Sequence, residues 1–104
     1  MKKLTQEQIE NIRKNPDKWA WNWEAISQYD LPEDFIKEFK NRINWFMILI
    51  HHKFSESFFI EFQYKLFGIG GFRQCCHHKN YNNVKLYLKY GMKLDNDLRK
   101  CLIE

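Results

Sequence analysis

The sequence of 104 residues is 44% hydrophobic and 17% aromatic and has a net charge of +4. This composition excludes a disordered chain and predicts one domain, residues 1–104, with a core of large aromatic side chains. The longest apolar run, Trp45 to Ile50, is much shorter than the roughly 18 residues of a membrane-spanning helix. No apolar segment follows the lysines at the start, so no secretory signal is expected. We therefore expect a cytoplasmic protein whose three cysteines stay reduced and form no disulfide framework.

The first predicted helix begins after Thr5, because Thr5 and Gln8 have the spacing of a capping box, and it ends before Pro16. Three tryptophans follow at a spacing of two residues, and residues two apart do not share a helix face. We expect Trp19 and Trp23 inside the protein. Trp21 would then be an exposed aromatic anchor for a binding partner.

An internal repeat covers the next part of the chain: residues 22–43 align with residues 44–67 when one residue is added to the second connecting turn. Each unit is predicted to contain two short helices. The first begins after an asparagine N-cap, Asn22 or Asn44, and the second begins near Pro32 or Ser55. A fainter copy precedes these units in residues 4–12.

The second helix of each repeat carries an apolar stripe with the spacing of one helix face. The stripe consists of Phe35, Ile36, Phe39 and Ile43 in the first copy, and of Phe58, Phe59, Phe62 and Leu66 in the second. Short helices cannot cover so wide a stripe alone, so we expect neighbouring pairs to stack. The sequence thus predicts an all-α fold of stacked short helical hairpins, either an α-solenoid or a compact bundle.

The repeats share the pattern W-x-x-I-S followed by L-x-E-x-F-I-x-E-F, best seen from Trp23 to Phe39. Residues 4–67 thereby resemble short helical repeats of phage and giant-virus proteins, which often occur beside ankyrin-like units. The resemblance implies a helical-repeat architecture and names no activity.

Glycines then interrupt the helical pattern at residues 68–71, which we interpret as a junction before a basic unit, residues 72–104. Residues 70–95 of this stretch resemble one divergent ankyrin repeat. In that register Cys75 and Cys76 occupy the paired small positions, Lys79 and Asn80 lie in the turn, and Gly91 ends the second helix.

The same register places four residues on the apolar face of the second helix, namely Val84, Leu86, Tyr87 and Leu88. The sequence departs from the ankyrin pattern at Asn83, where a valine is expected, and at residues 70–73, which replace the usual entry motif. A last helix is predicted from about Asp95 to Ile103.

The four residues 75–78, Cys-Cys-His-His, suggest a metal site at first sight. Consecutive helical residues point about 100° apart, so they cannot converge on one ion. For the same reason the adjacent Cys76 and His77 do not form a nucleophile–base pair. We expect no metal, no cofactor and no enzymatic activity, and we expect the cysteines to act as small packing residues.

The excess positive charge lies in the last third of the chain. Residues 1–66 contain ten Lys/Arg and ten Asp/Glu, whereas residues 67–104 contain seven and three. Such a surface is either a solvated end of the repeat array or a binding surface for an acidic protein or a nucleic-acid backbone. The candidate partner-binding residues are Trp21, Lys79, Lys85, Lys89, Lys93, Arg99 and Lys100.

Helical-repeat proteins mostly act by surface recognition, so we expect a non-enzymatic protein–protein interaction module. From the phage-like repeat, the small size and the absence of catalytic motifs together, we hypothesise an inhibitor that blocks a host defence protein, for example as an anti-CRISPR, by steric occlusion in the host-cell cytoplasm. The alternative is a nucleic-acid-binding protein that uses the basic last third. A homodimer that covers an uncapped repeat end also stays open.

Overall fold

A computed structural model of the protein describes residues 2–18 and 21–103. The regular structure within these ranges is helical throughout, so the all-α prediction is confirmed for them. The helices are α1 (Gln6–Lys14), α2 (Trp23–Ile26), α3 (Glu33–Glu38), α4 (Trp45–His51), α5 (Glu56–Gly68), α6 (Gly71–His77), α7 (Tyr81–Lys89) and α8 (Asn96–Ile103). In the described part of the chain no helix combines the length and the apolar character that a membrane span requires.

The chain divides into two compact units, Met1–Ile48 (unit 1) and Leu49–Glu104 (unit 2), with the boundary inside α4. The single domain expected from the chain length stays a prediction.

The predicted capping box at the start of unit 1 is confirmed. Thr5 Oγ1 accepts a hydrogen bond from the Gln8 backbone N–H, and the Gln8 side-chain oxygen accepts one from the Thr5 backbone N–H. Ion pairs tie the N-terminal segment to later residues of the unit, and Lys3 with Asp30 is one of them. Arg13 Nε lies 3.0 Å from a carboxylate oxygen of Glu38, and Arg42 pairs with Asp17.

The helix starts of the internal repeat are as predicted. Asn22 Oδ1 accepts from the Ala25 N–H at 3.1 Å, and Asn44 Oδ1 accepts from the Met47 N–H at 3.2 Å, three residues on in both cases. Ser55 caps α5. The aligned apolar positions are buried in both copies: Ile26 and Ile48, Leu31 and Phe54, Phe35 and Phe58, Ile36 and Phe59, Phe39 and Phe62, and Ile43 and Leu66. The repeat is therefore a repeat of burial as well as of sequence.

Unit 2 is organised around α6, which packs against α5, α7 and α8. The predicted turn after α6 is confirmed, and Lys79 within it has a left-handed backbone conformation with φ +56°. Gly91 follows α7 with φ +112°, as expected for the glycine that ends this helix. The helix–turn–helix of residues 71–89 is thus present, whereas the relationship to ankyrin repeats stays a prediction.

The core of unit 2 is an aromatic cluster centred on Tyr87, which is fully buried. The Tyr87 ring lies 5.0 Å from Phe59, 5.2 Å from Phe67 and 5.6 Å from Phe72, measured between ring centroids. Its hydroxyl donates a 2.7 Å hydrogen bond to the carbonyl oxygen of Leu66, which satisfies the polar end of the ring inside the core. Burial raises the pKa of Tyr87 far above its ordinary value.

Candidate partner-binding surface

The basic residues predicted from the sequence are all exposed in unit 2. Lys79 lies in the turn between α6 and α7, and Lys85 and Lys89 lie one helical turn apart on α7. Lys93 follows α7, and the other two, Arg99 and Lys100, lie on α8. These cations differ in whether they are already paired with a carboxylate of the same unit.

Lys89 is engaged within the unit. Its ammonium lies 2.5 Å from a carboxylate oxygen of Glu56, and the Tyr90 hydroxyl donates a hydrogen bond to the same oxygen. The hydrogen bonds from Lys89 and then Tyr90 lower the pKa of Glu56, and the Glu56 carboxylate raises the pKa of Lys89. Lys89 is therefore already paired with a carboxylate, which makes it the least suitable of the predicted residues for a partner.

Lys85 lies on an outer face of α7 that also presents apolar side chains. Tyr81, one turn earlier, is 49% exposed, and its hydroxyl donates to the carbonyl oxygen of Leu102 at 3.1 Å. Leu88 is 37% exposed, so its predicted place on the buried face of α7 is wrong. Of the other predicted residues, Val84 and Tyr87 are buried and Leu86 is half-buried, and Asn83 is the further buried residue of this helix.

A cleft in unit 2 brings two cations together beside a partly apolar lining, and we call it the basic cleft. Its volume is about 260 Å³, and it is lined by Phe67, Gly70, Gly71, Phe72, Arg73, Tyr87, Met92, Lys93, Asp95 and Leu98. Arg73 and Lys93 are exposed, whereas Phe72, Tyr87 and Leu98 are buried. Lys93 is a predicted site residue, and Arg73 adds a cation that the sequence places in the basic third but that was not predicted as a site residue.

The charged side chains of the basic cleft differ in whether they already have a hydrogen-bond or ion-pair partner. Asp95 is committed to the start of α8, because its carboxylate accepts a 2.8 Å hydrogen bond from the Leu98 N–H. Within the described residues neither Arg73 nor Lys93 has a side-chain hydrogen bond or an ion pair. The cleft therefore presents two free cations beside apolar side chains.

Trp21 lies in unit 1 and is half-buried rather than exposed. Its indole N–H donates a 2.7 Å hydrogen bond to the carbonyl oxygen of Asn15, and the Lys18 ammonium lies 5.5 Å from its ring centroid. The ring lines an apolar cleft of about 400 Å³ together with Ile12 and Ile26. Trp23 is also half-buried, and Trp19 lies outside the described residues.

No group of three or more Cys, His, Asp or Glu side chains within residues 2–18 and 21–103 could hold an ion. Cys75 and Cys76 are fully buried in α6, as expected for packing residues. The contact that sequence reasoning missed is between Cys101 Sγ and His77 Nδ1, which are 3.3 Å apart.

Comparison with known proteins finds no matching family model, no similar curated protein and no similar solved structure. The resemblances to phage-type repeats and to ankyrin repeats stay predictions.

Proposed function

We propose that the chain is a non-enzymatic protein-binding module that recognises an acidic and partly apolar segment of a partner through the basic cleft of unit 2. The observation that carries this proposal is the pairing of two exposed, unpartnered cations, Arg73 and Lys93, with a cleft lining that is partly apolar. A carboxylate of the partner complements the cations, and an apolar side chain beside it fills the cleft.

The size of the basic cleft favours a protein side chain over a metabolite. Its volume of about 260 Å³ lies below the range of about 300–1,000 Å³ that is typical of small-molecule sites. A cleft of this size accommodates one or two side chains of a docked segment, which is the scale of a binding hot spot.

The lining of the basic cleft also favours binding over chemistry. It includes no cysteine, histidine or serine that could act as a nucleophile or general base. Apart from the two cations, the polar side chains of the lining are already engaged, since the Tyr87 hydroxyl bonds to Leu66 and the Asp95 carboxylate caps α8.

Nucleic-acid binding is the alternative function. It is favoured by Tyr81, a half-exposed aromatic residue one helical turn from Lys85, because aromatic rings beside cations can stack on bases. It is weakened by the carboxylates of Asp95 and Glu56 near the basic residues, since a phosphate backbone is recognised by the summed charge of several cations.

The test is affinity capture from a bacterial lysate treated with nuclease. Three forms of the immobilised chain are compared: wild type, the cleft variant Arg73→Glu with Lys93→Glu, and a control with two exposed lysines outside the cleft reversed, Lys40→Glu with Lys53→Glu. The control undergoes the same change in net charge. We expect the immobilised wild type and the control to retain a protein from the lysate that the cleft variant does not retain. Equal retention by all three forms, or retention of a protein only from a parallel lysate that received no nuclease, would overturn the proposal.

The use of this module as a phage-encoded inhibitor of a host defence protein is a finer proposal, supported by the repeat resemblance alone. It is tested by adding the purified chain to a CRISPR effector assay and measuring target cleavage. If a saturating concentration of the purified chain leaves target cleavage unchanged, the inhibitor proposal is wrong and the protein-binding proposal still stands. Homodimer formation and cytoplasmic location stay predictions; light scattering on the purified chain decides the former.

A further inference from the structure

A thiol and an imidazole meet where α8 packs against α6. Leu98 of α8 is buried, and Cys101 follows it by three residues on the same side of the helix. Cys101 Sγ lies 3.3 Å from Nδ1 of His77, the last residue of α6. His77 is exposed and Cys101 is half-buried, so solvent and small solutes reach the pair.

This pair has the arrangement of an activated nucleophile. When the imidazole carries its proton on Nε2, Nδ1 can accept the thiol proton and leave a thiolate at Cys101. The thiolate is the reactive form of cysteine, and a neighbouring base is one of the ways in which proteins generate it.

A second cysteine lies close to the pair. Cys76 precedes His77 in α6 and is fully buried. Cys76 is brought toward Cys101 because α6 packs against α8 and the residue after Cys76, His77, contacts the Cys101 thiol. Burial raises the pKa of Cys76, and the charge of Cys101 raises it further.

Cys75 provides a contrast within the same helix. Its thiol donates to the carbonyl oxygen of Leu49 at 3.5 Å, and burial raises its pKa to about 12. Cys75 is therefore held in the thiol form and points to a different neighbour.

We propose that Cys101 and His77 form a site of oxidative modification, at which a hydroperoxide oxidises Cys101 and Cys76 then closes a disulfide with it. In the first step the Cys101 sulfur forms a bond to a peroxide oxygen while the O–O bond breaks. The proton taken up by His77 leaves with the released oxygen as water or an alcohol. The sulfur loses two electrons, the peroxide gains them, and a sulfenic acid results. In the second step the Cys76 sulfur attacks the Cys101 sulfur, the S–O bond breaks, and the hydroxide leaves as water with the Cys76 proton.

The experiment treats the reduced full chain with equimolar hydrogen peroxide and follows the products by mass spectrometry with peptide mapping. The expected product has lost two hydrogen atoms and links Cys76 to Cys101. A link through Cys75, a stable sulfenic acid at Cys101, or an unreacted Cys101 would each overturn the proposal. This readout needs no substitution, so it does not depend on whether a variant folds.

Three variants separate the roles of the residues. Cys75→Ala should still form the disulfide, whereas Cys76→Ala should stop at a sulfenic acid on Cys101 that dimedone traps. His77→Gln should slow the first step by about tenfold or more because the thiol loses its proton acceptor. An unchanged rate in His77→Gln, in a variant whose helical circular dichroism matches wild type, would refute the role of His77.

Discussion

The side-chain amide of Asn83 donates a 2.7 Å hydrogen bond to the backbone carbonyl oxygen of His52. It also donates to the Leu49 carbonyl at 3.2 Å, and its Oδ1 accepts from the Phe54 N–H at 3.0 Å. The last carbonyls of a helix have no partner within the helix, so a buried helix end needs such donors. Asn83 is fully buried and connects the start of α7 to the end of α4 and the residues after it.

Replacing Asn83 by valine, the residue of the ankyrin pattern, should lower the free energy of unfolding by about 2 kcal/mol. The buried Phe54 N–H loses its acceptor, while the Leu49 and His52 carbonyls keep hydrogen bonds from Asn80. Urea denaturation measures the change. The control is Asn82→Ala, which removes an exposed side chain that donates to Phe54 O at 3.1 Å and to Asn83 Oδ1 at 2.9 Å but leaves the Phe54 N–H with its acceptor. Equal losses for the two variants would contradict this account.

Position 71 requires glycine because the backbone there lies too close to the Tyr87 side chain to leave room for a Cβ. A Cβ at position 71 would lie 2.1 Å from the Tyr87 hydroxyl oxygen and 2.8 Å from the carbonyl oxygen of Leu66. Gly71→Ala should therefore break the Tyr87–Leu66 hydrogen bond and lower the free energy of unfolding by about 3 kcal/mol. Thermal and urea unfolding measure this loss.

Gly68→Ala is the matched control for Gly71→Ala. A Cβ at position 68, the last residue of α5, would have no heavy atom within 4 Å. The helix propensity of alanine should make this variant equal to wild type or more stable by up to about 1 kcal/mol. A loss of stability in Gly71→Ala no larger than that in Gly68→Ala would contradict the close approach of Gly71 to Tyr87.

Lys79 adopts a left-handed backbone conformation, with φ +56°. For a residue that has a Cβ, this conformation is less favourable by about 1 kcal/mol. Lys79→Gly should therefore raise the free energy of unfolding by about 0.5–1 kcal/mol. Lys79→Ala removes the same charge and keeps the strain, so it should not stabilise the protein. Equal stabilities for the glycine and alanine variants would contradict the strained turn.

The Glu56–Lys89 pair should make stability depend on pH at both extremes. The folded-state pKa of Glu56 is lowered from 4.5, so its contribution is complete above pH 4.5 and is lost as the pH falls through the folded-state pKa. The pKa of Lys89 is raised from 10.5, so its contribution is complete below pH 10.5 and is lost as the pH rises through the folded-state pKa.

The pH effect is measured as the difference in free energy of unfolding between wild type and Glu56→Gln. Wild type should be slightly more stable between the two limits, and the difference should shrink in acid and in concentrated salt, because the pair is exposed. A difference that grew as the pH fell below 4.5 would have the wrong sign for this pair.

The local part of the fold could be predicted from the sequence. The caps at Thr5, Asn22 and Ser55 depend on residues three positions away, and the buried stripes follow the helical period. These features are set by neighbours in the chain, which is why sequence spacing reveals them.

The contacts that define the candidate sites could not be predicted, because they join distant residues. Asn83 reaches Leu49 across 34 positions, and Cys101 meets His77 across 24. In the same way, Leu88 is exposed and Lys89 is paired because of the neighbours that α7 meets in the fold. Charge counting located the basic third but did not reveal which cations are free.

The central claim is that the basic cleft binds an acidic, partly apolar segment. The most direct test is titration of the ¹⁵N-labelled chain with a short synthetic peptide that alternates glutamate and leucine, followed by amide chemical shifts. We predict saturable chemical-shift changes at residues 70–73 and 92–98. The double variant Arg73→Glu, Lys93→Glu should not show these changes, and duplex DNA should not reproduce them. Shifts confined to other residues, no saturable shift, or the same shifts with DNA would contradict the account.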